Sequence, residues 1–424
     1  MNTRRQLWKF CIPCVATIVL GCFSDAVAQV RYKVTDLGVV NGNNLGMPMG
    51  LNNQGWTVTM DQLLDPISLS LSATAVSGSV RITIGERNIG LPTLGGANTS
   101  INWGGINDRG EAVGLSETSV PDPDGEDLCG FGTGKTCLPF LWRDGHMSAL
   151  PTLGGNNGQA SAINNRGQIT GFAETGDADA ACPFPSKTDS AVLWDKGQAQ
   201  ALPTVGGDPD GTAFGINDRG QAVGYTGTCT TASHAVLWEN GTAIQLHDNG
   251  VSRSNVAYAI NNQGQIVGRT RTADGSTSIA TLWENNTPIS LGILPGDFAS
   301  WALSINNRRQ VVGTTFTLDS NFTLNWSRGF IWQDKVMTDL NTLIPADSNL
   351  FIVEAGNINE RGQIAGMAVV QSGPHKGDVH GFLLTPVEAR IGESMADVAN
   401  AQGKPNLPAN TQRKGGFRPG RSEQ

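Results

Sequence analysis

The chain has 424 residues, is rich in Gly (54) and poor in charged residues (16%), and is 39% hydrophobic, a composition that favours short strands and turns over long helices. Its formal net charge of -8 provides no basic field to attract phosphates, so we do not expect a nucleic-acid partner. These values predict an all-β protein.

The first 28 residues have the pattern of an export signal peptide. Basic residues at positions 4, 5 and 9 precede an apolar run from Phe10 to Phe23, and small residues at positions 26 and 28 mark a cleavage site. The apolar run is short for a bilayer span, so we expect no membrane span once the signal is removed. The sequence thus predicts an exported protein, periplasmic or extracellular, whose mature chain begins at Gln29.

The export route stays open. Val19-Leu20-Gly21-Cys22 resembles a lipoprotein box that would anchor the chain at Cys22, although Leu20 stands where a small residue is usual. The segment TRRQLWK from Thr3 resembles a twin-arginine signal. We favour a free chain over a lipid anchor, and we do not choose between the general secretory and twin-arginine routes.

A turn with the sequence INDRGQAVG, which begins at Ile216, recurs along the chain. Asn at its first turn position and Gly at its fourth suit a type I turn followed by a left-handed residue. Apolar residues alternate on both sides, as in a strand hairpin. Asn often bonds its own backbone two residues on, so we interpret the repeated Asn as a turn residue rather than a ligand. The turn Asn of copies 1 to 7 is Asn52, Asn107, Asn164, Asn217, Asn261, Asn306 and Asn359.

A second hairpin, such as FLWRDGHMSALPTLGG from Phe140, lies between successive turns. Each repeat then has four strands: a (the FLW strand), b (the strand that leads into LPTLGG), c (the strand ending in IN) and d (the strand ending in VG). The turn Asn residues are 44 to 57 residues apart, a spacing close to that of propeller blades. The longer b-to-c and d-to-a connections would all lie on one face, which we call the insertion face.

The two ends of the chain are complementary. Tyr32–Gly38 reads as a b strand with no a strand before it, and Gly381–Pro386 reads as an a strand with no b strand after it. Pairing them would complete the last repeat and remove two exposed sheet edges. The sequence predicts a seven-bladed β-propeller of four-stranded blades over residues 29–387, closed by its terminal strands. Residues 388–424 have few apolar residues, which predicts a disordered tail.

Two side-chain patterns bear on packing. Strand c has small residues two and four positions before most of the turn Asn residues, which suits the innermost strand, although strand a in that place also satisfies the turn lengths. Strand a carries a repeated Trp, which we interpret as packing between blades rather than as a sugar-stacking surface. These Trp residues are Trp142, Trp194, Trp238, Trp283 and Trp332.

Four cysteines remain after removal of the signal, and an even number in an exported chain predicts disulfides. Cys129 and Cys137 share one insertion loop, while Cys182 and Cys229 lie in d-to-a loops of neighbouring copies. We therefore predict the pairs 129–137 and 182–229. No CxxC pair is present among them, which argues against a zinc knuckle.

His234-Ala235-Val236-Leu237-Trp238 and His380-Gly381-Phe382, taken with the turn and Gly motifs, resemble the HAF-type extracellular repeat family of bacteria. The resemblance covers roughly residues 32–386. It implies secretion and a propeller-like fold, and it carries over no catalytic residue. The sequence departs from the pattern at Arg309, where the turn Gly is absent, and we expect Arg309 to adopt a left-handed conformation.

Candidate ligand-binding residues are few. Trp103 interrupts the small-residue pattern of strand c and Trp301 lies near the start of the same strand, so either could line a ligand surface on the insertion face or fill space under a loop. Acidic residues in the insertion loops are weak calcium candidates, since they lack the spacing of a calcium hand. The four acidic candidates are Asp122, Asp124, Asp208 and Asp210.

No hydrolase, metalloprotease or phosphate-loop motif is found in the sequence. His234 and His380 occupy one repeat position, which indicates a hydrogen-bonding strand residue rather than a general base. We expect a secreted non-catalytic propeller that binds an extracellular protein or glycan through loops on one face, without a cofactor. The alternative is an exported hydrolase or lyase with its site at the axial mouth.

Overall fold

The computed structural model describes residues 30–387 except 41–42, 64–76, 102–103, 180–181, 183–185, 230, 249, 251–253 and 319–323. The predicted signal peptide and C-terminal tail lie outside the described residues. The described chain is all-β, and its one helical element is the short 3₁₀ turn Leu340–Thr342. None of the described helices is long and apolar enough to cross a membrane.

The strands follow the predicted order within each repeat. Five separate four-stranded antiparallel sheets, from copies 2 to 6, have the order c-d-a-b. Their strands are β6 (Gly95–Ser100), β7 (Ala112–Pro121), β8 (Lys135–Arg143) and β9 (His146–Ala149); β10 (Gly154–Ile163), β11 (Ile169–Ala178), β12 (Lys187–Asp195) and β13 (Gln198–Ala201); β14 (Asp210–Ile216), β15 (Ala222–Thr228), β16 (Thr231–Glu239) and β17 (Thr242–Gln245); β18 (Val256–Ile260), β19 (Ile266–Arg271), β20 (Ser278–Glu284) and β21 (Thr287–Gly292); β22 (Ala299–Ile305), β23 (Val311–Leu318), β24 (Leu324–Gln333) and β25 (Val336–Asp339).

An eight-stranded sheet contains the first and last strands of the described chain. One antiparallel run takes β2 to β5 in order, and the other takes β26, β27, β28 and then β1, the N-terminal strand. A single parallel bridge, Leu45 with Val379, joins the two runs. These strands are β1 (Arg31–Gly38), β2 (Leu45–Leu51), β3 (Thr57–Leu63), β4 (Ser77–Ile84), β5 (Arg87–Gly90), β26 (Leu350–Ile358), β27 (Ile364–Val370) and β28 (Val379–Val387).

The N-terminal strand pairs with the C-terminal strand as the complementary ends predicted. β1 runs antiparallel to β28 with Tyr32 opposite Pro386 and Gly38 opposite Gly381. Tyr32 is buried beside Leu340 and Leu384, so the pairing also covers apolar surface. β1 therefore supplies the b strand of the copy that ends the chain.

The local turn chemistry explains the hairpins. In the a-to-b turns of copies 2 to 6 both central residues have positive φ, for example Asp144 (50°) and Gly145 (84°), which is the primed turn that strand hairpins favour. In the c-to-d turns the left-handed position is Gly in six copies, and a Cβ on Gly264 would lie 2.6 Å from Nη2 of Arg219. Arg309 replaces this Gly and has a φ of 63°, so the expected left-handed conformation is confirmed.

The turn Asn residues join neighbouring copies as well as closing their own turns. Oδ1 of Asn217 accepts from the backbone N–H groups of Arg219 and Gln221, which confirms the turn role. Its Nδ2 donates to the backbone oxygen of Asn261 in the next copy. Each of the seven turn Asn residues donates in this way, and Asn359 donates to Asn52 at 2.9 Å, so the series of bonds returns to its start.

A second series of bonds involves the residue after each turn Asn. The backbone N–H of Asn53 donates to Oδ1 of Asp108 at 2.8 Å, and the equivalent bond links each copy to the next. The last member, Glu360, donates its backbone N–H to Oδ1 of Asn53. The turns of copies 1 and 7 are therefore joined in the same way as the turns of consecutive copies.

The repeated Trp residues pack between copies. Trp194, Trp238 and Trp283 are almost fully buried. The indole N–H of Trp194 donates to the Pro151 carbonyl of the preceding copy at 2.8 Å, and Trp238 bonds Pro203 in the same way. These contacts support the packing interpretation over a sugar-stacking surface.

In the five four-stranded sheets the c strand lies at one edge, and the c strands of copies 3 to 7 and of copy 1 contact each other in succession. Gly215 shows why small residues are needed here, because a Cβ would lie 2.9 Å from the backbone oxygen of Tyr258 on the next c strand. Phe214, Tyr258 and Leu303, from three c strands, belong to the same buried apolar cluster. The c strands thus converge on a common core.

Both predicted disulfides are present. Cys129 bonds Cys137 with a Cα–Cα distance of 5.9 Å, and Cys182 bonds Cys229 with a distance of 5.3 Å. The second bridge joins the loop before β12 to the loop before β16, so it ties together two neighbouring copies. In the chain-entropy description, a closed loop of this length stabilises the fold by roughly 4 kcal/mol.

Candidate functional site

Four residues, which we call the c-strand cluster, combine polar and aromatic groups where the c strands converge: Tyr258, Arg269, Trp301 and Glu354. Trp301 on β22 and Glu354 on β26 occupy one repeat position, five residues before the turn Asn. Tyr258 lies on β18, and Arg269 lies on the adjacent β19. The cluster is therefore built by three successive copies.

Trp301, a predicted ligand-binding residue, lies beside Arg269. The guanidinium carbon is 4.6 Å from the centre of the indole ring, within the range of a cation–π contact. The Phe316 ring meets Trp301 edge-on at 5.1 Å. These two contacts fix the indole in one orientation. The other predicted binding residue, Trp103, lies outside the described residues.

Two donors of the cluster have no hydrogen-bond partner within the described part of the chain. They are the indole N–H of Trp301 and the Nε–H of Arg269, and both atoms are buried. A buried donor without a partner costs about 1–3 kcal/mol. Arg269 lies close to the Tyr258 hydroxyl, and its charge lowers the pKa of that group against the effect of burial. The cluster thus has two unpaired donor groups, one on the indole and one on the guanidinium beside it.

Glu354 adds a titratable group to the cluster. Its side chain is partly accessible, but protein surrounds it closely and burial alone raises its pKa from 4.5 to about 7. Burial also raises the pKa of Tyr258, and the Glu354 charge adds to this shift against the lowering effect of Arg269. Near neutral pH the Glu354 carboxyl can therefore donate or accept a proton.

The calcium candidates from the sequence serve as hydrogen-bond acceptors. Oδ1 of Asp122 accepts the backbone N–H groups of Asp124 and Glu126, which shapes the insertion loop. Asp208 accepts from Thr226 and lies 2.8 Å from His234. Within the described part of the chain, no three of the four candidates bring ligand atoms within 4.8 Å of one another.

Asp210, the remaining candidate, belongs to a buried acidic group that sequence reasoning missed. Its two oxygens accept the backbone N–H groups of Asp189 and Cys229. Burial raises the pKa of Asp189 well above its usual value, and the neighbouring Glu174 and Asp210 charges add to the shift. Glu174 accepts from the Asn157 amide and backbone at 3.0 and 2.9 Å. Asp189 and Glu174 lie within strands, where no loop composition marks them.

The two histidines that share a repeat position make equivalent contacts. His234 Nδ1 lies 2.8 Å from Asp208, and His380 Nδ1 lies 3.0 Å from both oxygens of Asp36. In copy 6 the same position is Arg328, which pairs with Asp297 at 2.9 Å. The position thus holds a hydrogen-bonding side chain, as the sequence indicated.

Comparison with known proteins identifies no function. A family model described as a protein of unknown function (DUF3466) matches residues 209–407, slightly less than half of the chain. A search of curated proteins gave no match. The inference of function therefore depends on the residues of this chain.

Solved structures of low similarity align with much of the chain. An acylaminoacyl peptidase from Pyrococcus horikoshii is 10% identical with a TM-score of 0.45, and the alignment covers 82% of this chain and 53% of the peptidase. A puromycin hydrolase is 12% identical with a TM-score of 0.44, and the alignment covers 78% of this chain and 51% of the hydrolase. A protein of unknown function from Dyadobacter fermentans is 9% identical with a TM-score of 0.38, and the alignment covers 84% of this chain and 99% of that protein. The chain thus spans about half the length of the two hydrolases.

Proposed function

We propose that the chain forms a closed seven-bladed β-propeller with the c strands innermost. The two series of turn-to-turn bonds support closure, since the bonds from Asn359 to Asn52 and from Glu360 to Asn53 repeat those between consecutive copies. The pairing of β1 with β28 supports it independently. Contacts between successive c strands, permitted by small residues such as Gly215, support the inner position.

In this proposal the protein is exported and acts as a binding scaffold. Two disulfides are in keeping with an oxidising compartment, as are the signal-like first 28 residues and the resemblance to HAF-type repeats. Its role is to bind an extracellular glycan or protein through the insertion face, without catalysis. The observation that carries this proposal is the c-strand cluster, where an oriented indole adjoins unpaired donors.

A glycan is the favoured ligand. Sugar rings pack on aromatic side chains, while their hydroxyls need donors and acceptors at fixed positions. Trp301 offers the aromatic surface, Arg269 offers donors, and Glu354 offers an acceptor. A protein partner would instead use the surrounding insertion loops and depend less on this cluster.

A glycan array and cell-envelope fractions provide the test. Trp301→Leu should weaken binding to the identified glycan at least about tenfold. The aromatic contact and the apolar area that the indole buries together contribute more than about 1 kcal/mol. Val336→Ala is the matched control, because Val336 is exposed at an a-to-b turn on the other face. Unchanged affinity of Trp301→Leu, or equal weakening by both variants, would contradict binding at the cluster.

The second candidate function is an exported hydrolase or lyase. Glu354 favours it, since a carboxyl with a pKa of about 7 suits general acid–base catalysis near neutral pH. The check is turnover of polysaccharide substrates by the intact protein and by Glu354→Gln. An enzyme should lose turnover in the variant while retaining substrate binding, whereas a scaffold shows no turnover in either protein.

A further inference from the structure

The loop between β27 and β28, together with the start of β28, brings together two histidines and an aspartate that the proposed function does not use. The segment His375-Lys376-Gly377-Asp378-Val379-His380 has the pattern H-x-x-D-x-H. Ligand atoms of His375, Asp378 and His380 all lie within 4.8 Å of one another. We propose that these three side chains bind a zinc ion.

The ligand types favour a transition metal. Imidazole nitrogens with one carboxylate suit Zn²⁺, whereas Ca²⁺ and Mg²⁺ prefer oxygen ligands. His375 Nδ1 lies 3.1 Å from Asp378 Oδ2. Ligands about 2.0–2.1 Å from a tetrahedral zinc are separated by roughly 3.3 Å, so this pair already has the required spacing. His375 is 64% exposed and therefore free to adjust toward the ion.

His380 supplies an independent observation. Its Nε2 atom is buried and has no hydrogen-bond partner within the described part of the chain. Its other nitrogen, Nδ1, lies 3.0 Å from both carboxylate oxygens of Asp36. Histidines that bind a metal usually hold a carboxylate or carbonyl on the second nitrogen, which fixes the ring and its tautomer. Asp36 therefore orients His380 so that Nε2 is presented as a ligand.

His234 distinguishes this site from an ordinary strand pair. It occupies the same repeat position as His380 and pairs with Asp208 in the same way. The pair of His380 with Asp36 is thus part of the repeat pattern, while His375 and Asp378 are additions in copy 7. Among the described residues, no second histidine joins His234 in a group of three ligands.

The site lies at the junction of the chain ends. His380 belongs to β28, and Asp36 belongs to the N-terminal strand β1 that pairs with it. Zinc on His380 would strengthen the hydrogen bond to Asp36, because metal binding fixes the Nδ1–H tautomer that donates to the carboxylate. Zinc binding should therefore stabilise the attachment of β1.

Equilibrium dialysis of the untagged protein with Zn²⁺, and thermal unfolding with and without Zn²⁺, test the site. The intact protein should bind one equivalent saturably, with a higher Tm that a chelator reverses. His375→Ala should abolish this binding, and Asp36→Asn should weaken it about 10- to 100-fold as an orienting residue. His146→Ala, at the exposed histidine that begins β9, is the matched control and should bind as the intact protein does.

Co²⁺ provides a second readout that does not depend on stability. The intact protein and His146→Ala should show the visible absorption of tetrahedral Co²⁺, and His375→Ala should lose it while keeping the Tm of the metal-free protein. No saturable Zn²⁺ binding by the intact protein would overturn the proposal. Unchanged Zn²⁺ affinity in His375→Ala, or lost affinity in His146→Ala, would overturn it as well.

Discussion

Glu354 is an ionisable residue whose environment makes stability depend on pH. Its folded pKa of about 7 lies above the ordinary value of 4.5, so the folded state retains the proton between these two pH values. The favourable contribution of the protonated group is therefore full below pH 4.5 and is lost as pH rises through 7. Glu354 should destabilise the fold at alkaline pH.

Glu354→Gln keeps the shape of the side chain without the charge. The shift from 4.5 to about 7 corresponds to at most about 3 kcal/mol, and partial accessibility reduces this amount. The variant should be more stable than the intact protein at pH 8, with little difference at pH 4.5. Urea unfolding at the two pH values measures both differences, and an equal effect at both would show that Glu354 does not titrate as described.

Arg309 shows how a local strain can be offset by contacts. A left-handed residue with a Cβ costs about 1 kcal/mol. Against this, Arg309 Nε lies 2.7 Å from Glu284 and its guanidinium lies 5.2 Å from the centre of the Trp332 ring. Both contacts are partly exposed, and each contributes less than about 1 kcal/mol. Relief of strain alone would make Arg309→Gly stabilising, but these contacts bring the expected change close to zero.

Arg309→Ala separates the two effects. It removes both contacts and keeps the Cβ, so it should destabilise the protein by about 1 kcal/mol relative to Arg309→Gly. Urea unfolding of the two variants gives this difference directly. Equal stability of the Gly and Ala variants would mean that the turn of copy 6 changes conformation once the Arg contacts are gone.

The recurring c-to-d turn is the element that the sequence described most fully. Its Asn and Gly residues predicted the turn geometry, because Asx turns and left-handed positions depend on adjacent residues only. The link from each Asn to the next copy was not predictable, since it depends on how the copies are oriented in space. For the same reason the sequence located Trp301 but not Arg269, which contacts it from a neighbouring copy.

Asn217→Ala should test the two roles of the turn Asn. The side chain is buried, accepts two backbone N–H groups and donates to Asn261 in the next copy. Its loss leaves buried groups unpaired, and we expect a destabilisation of about 2–4 kcal/mol. Arg219→Ala, at the exposed position two residues on, should cost less than about 1 kcal/mol. Thermal or urea unfolding that ranks the two variants in the opposite order would contradict this account.

At the scale of the whole molecule, the terminal strands decide whether the repeats behave as one unit. β1 pairs along its length with β28, and Arg81 of copy 1 donates to the carbonyls of Leu37 and Gly38. Copies 1 and 7, which lie on the two sides of the junction, therefore both depend on contacts with β1. Removal of residues 29–39 should lower the Tm of the entire domain in one cooperative transition, because the exposed edge of β28 and the vacated site of Tyr32 weaken both adjacent copies.

Removal of residues 388–424 is the matched control for this truncation. That segment follows β28 and lacks the repeat pattern, so its loss should leave the Tm unchanged. Calorimetry of the intact protein and both truncated proteins measures the transitions, and hydrogen exchange shows where protection is lost. A closed ring predicts lost protection in copies 1, 6 and 7 together. Loss confined to β28, with the Tm of the remaining repeats unchanged, would show that the chain ends close no ring.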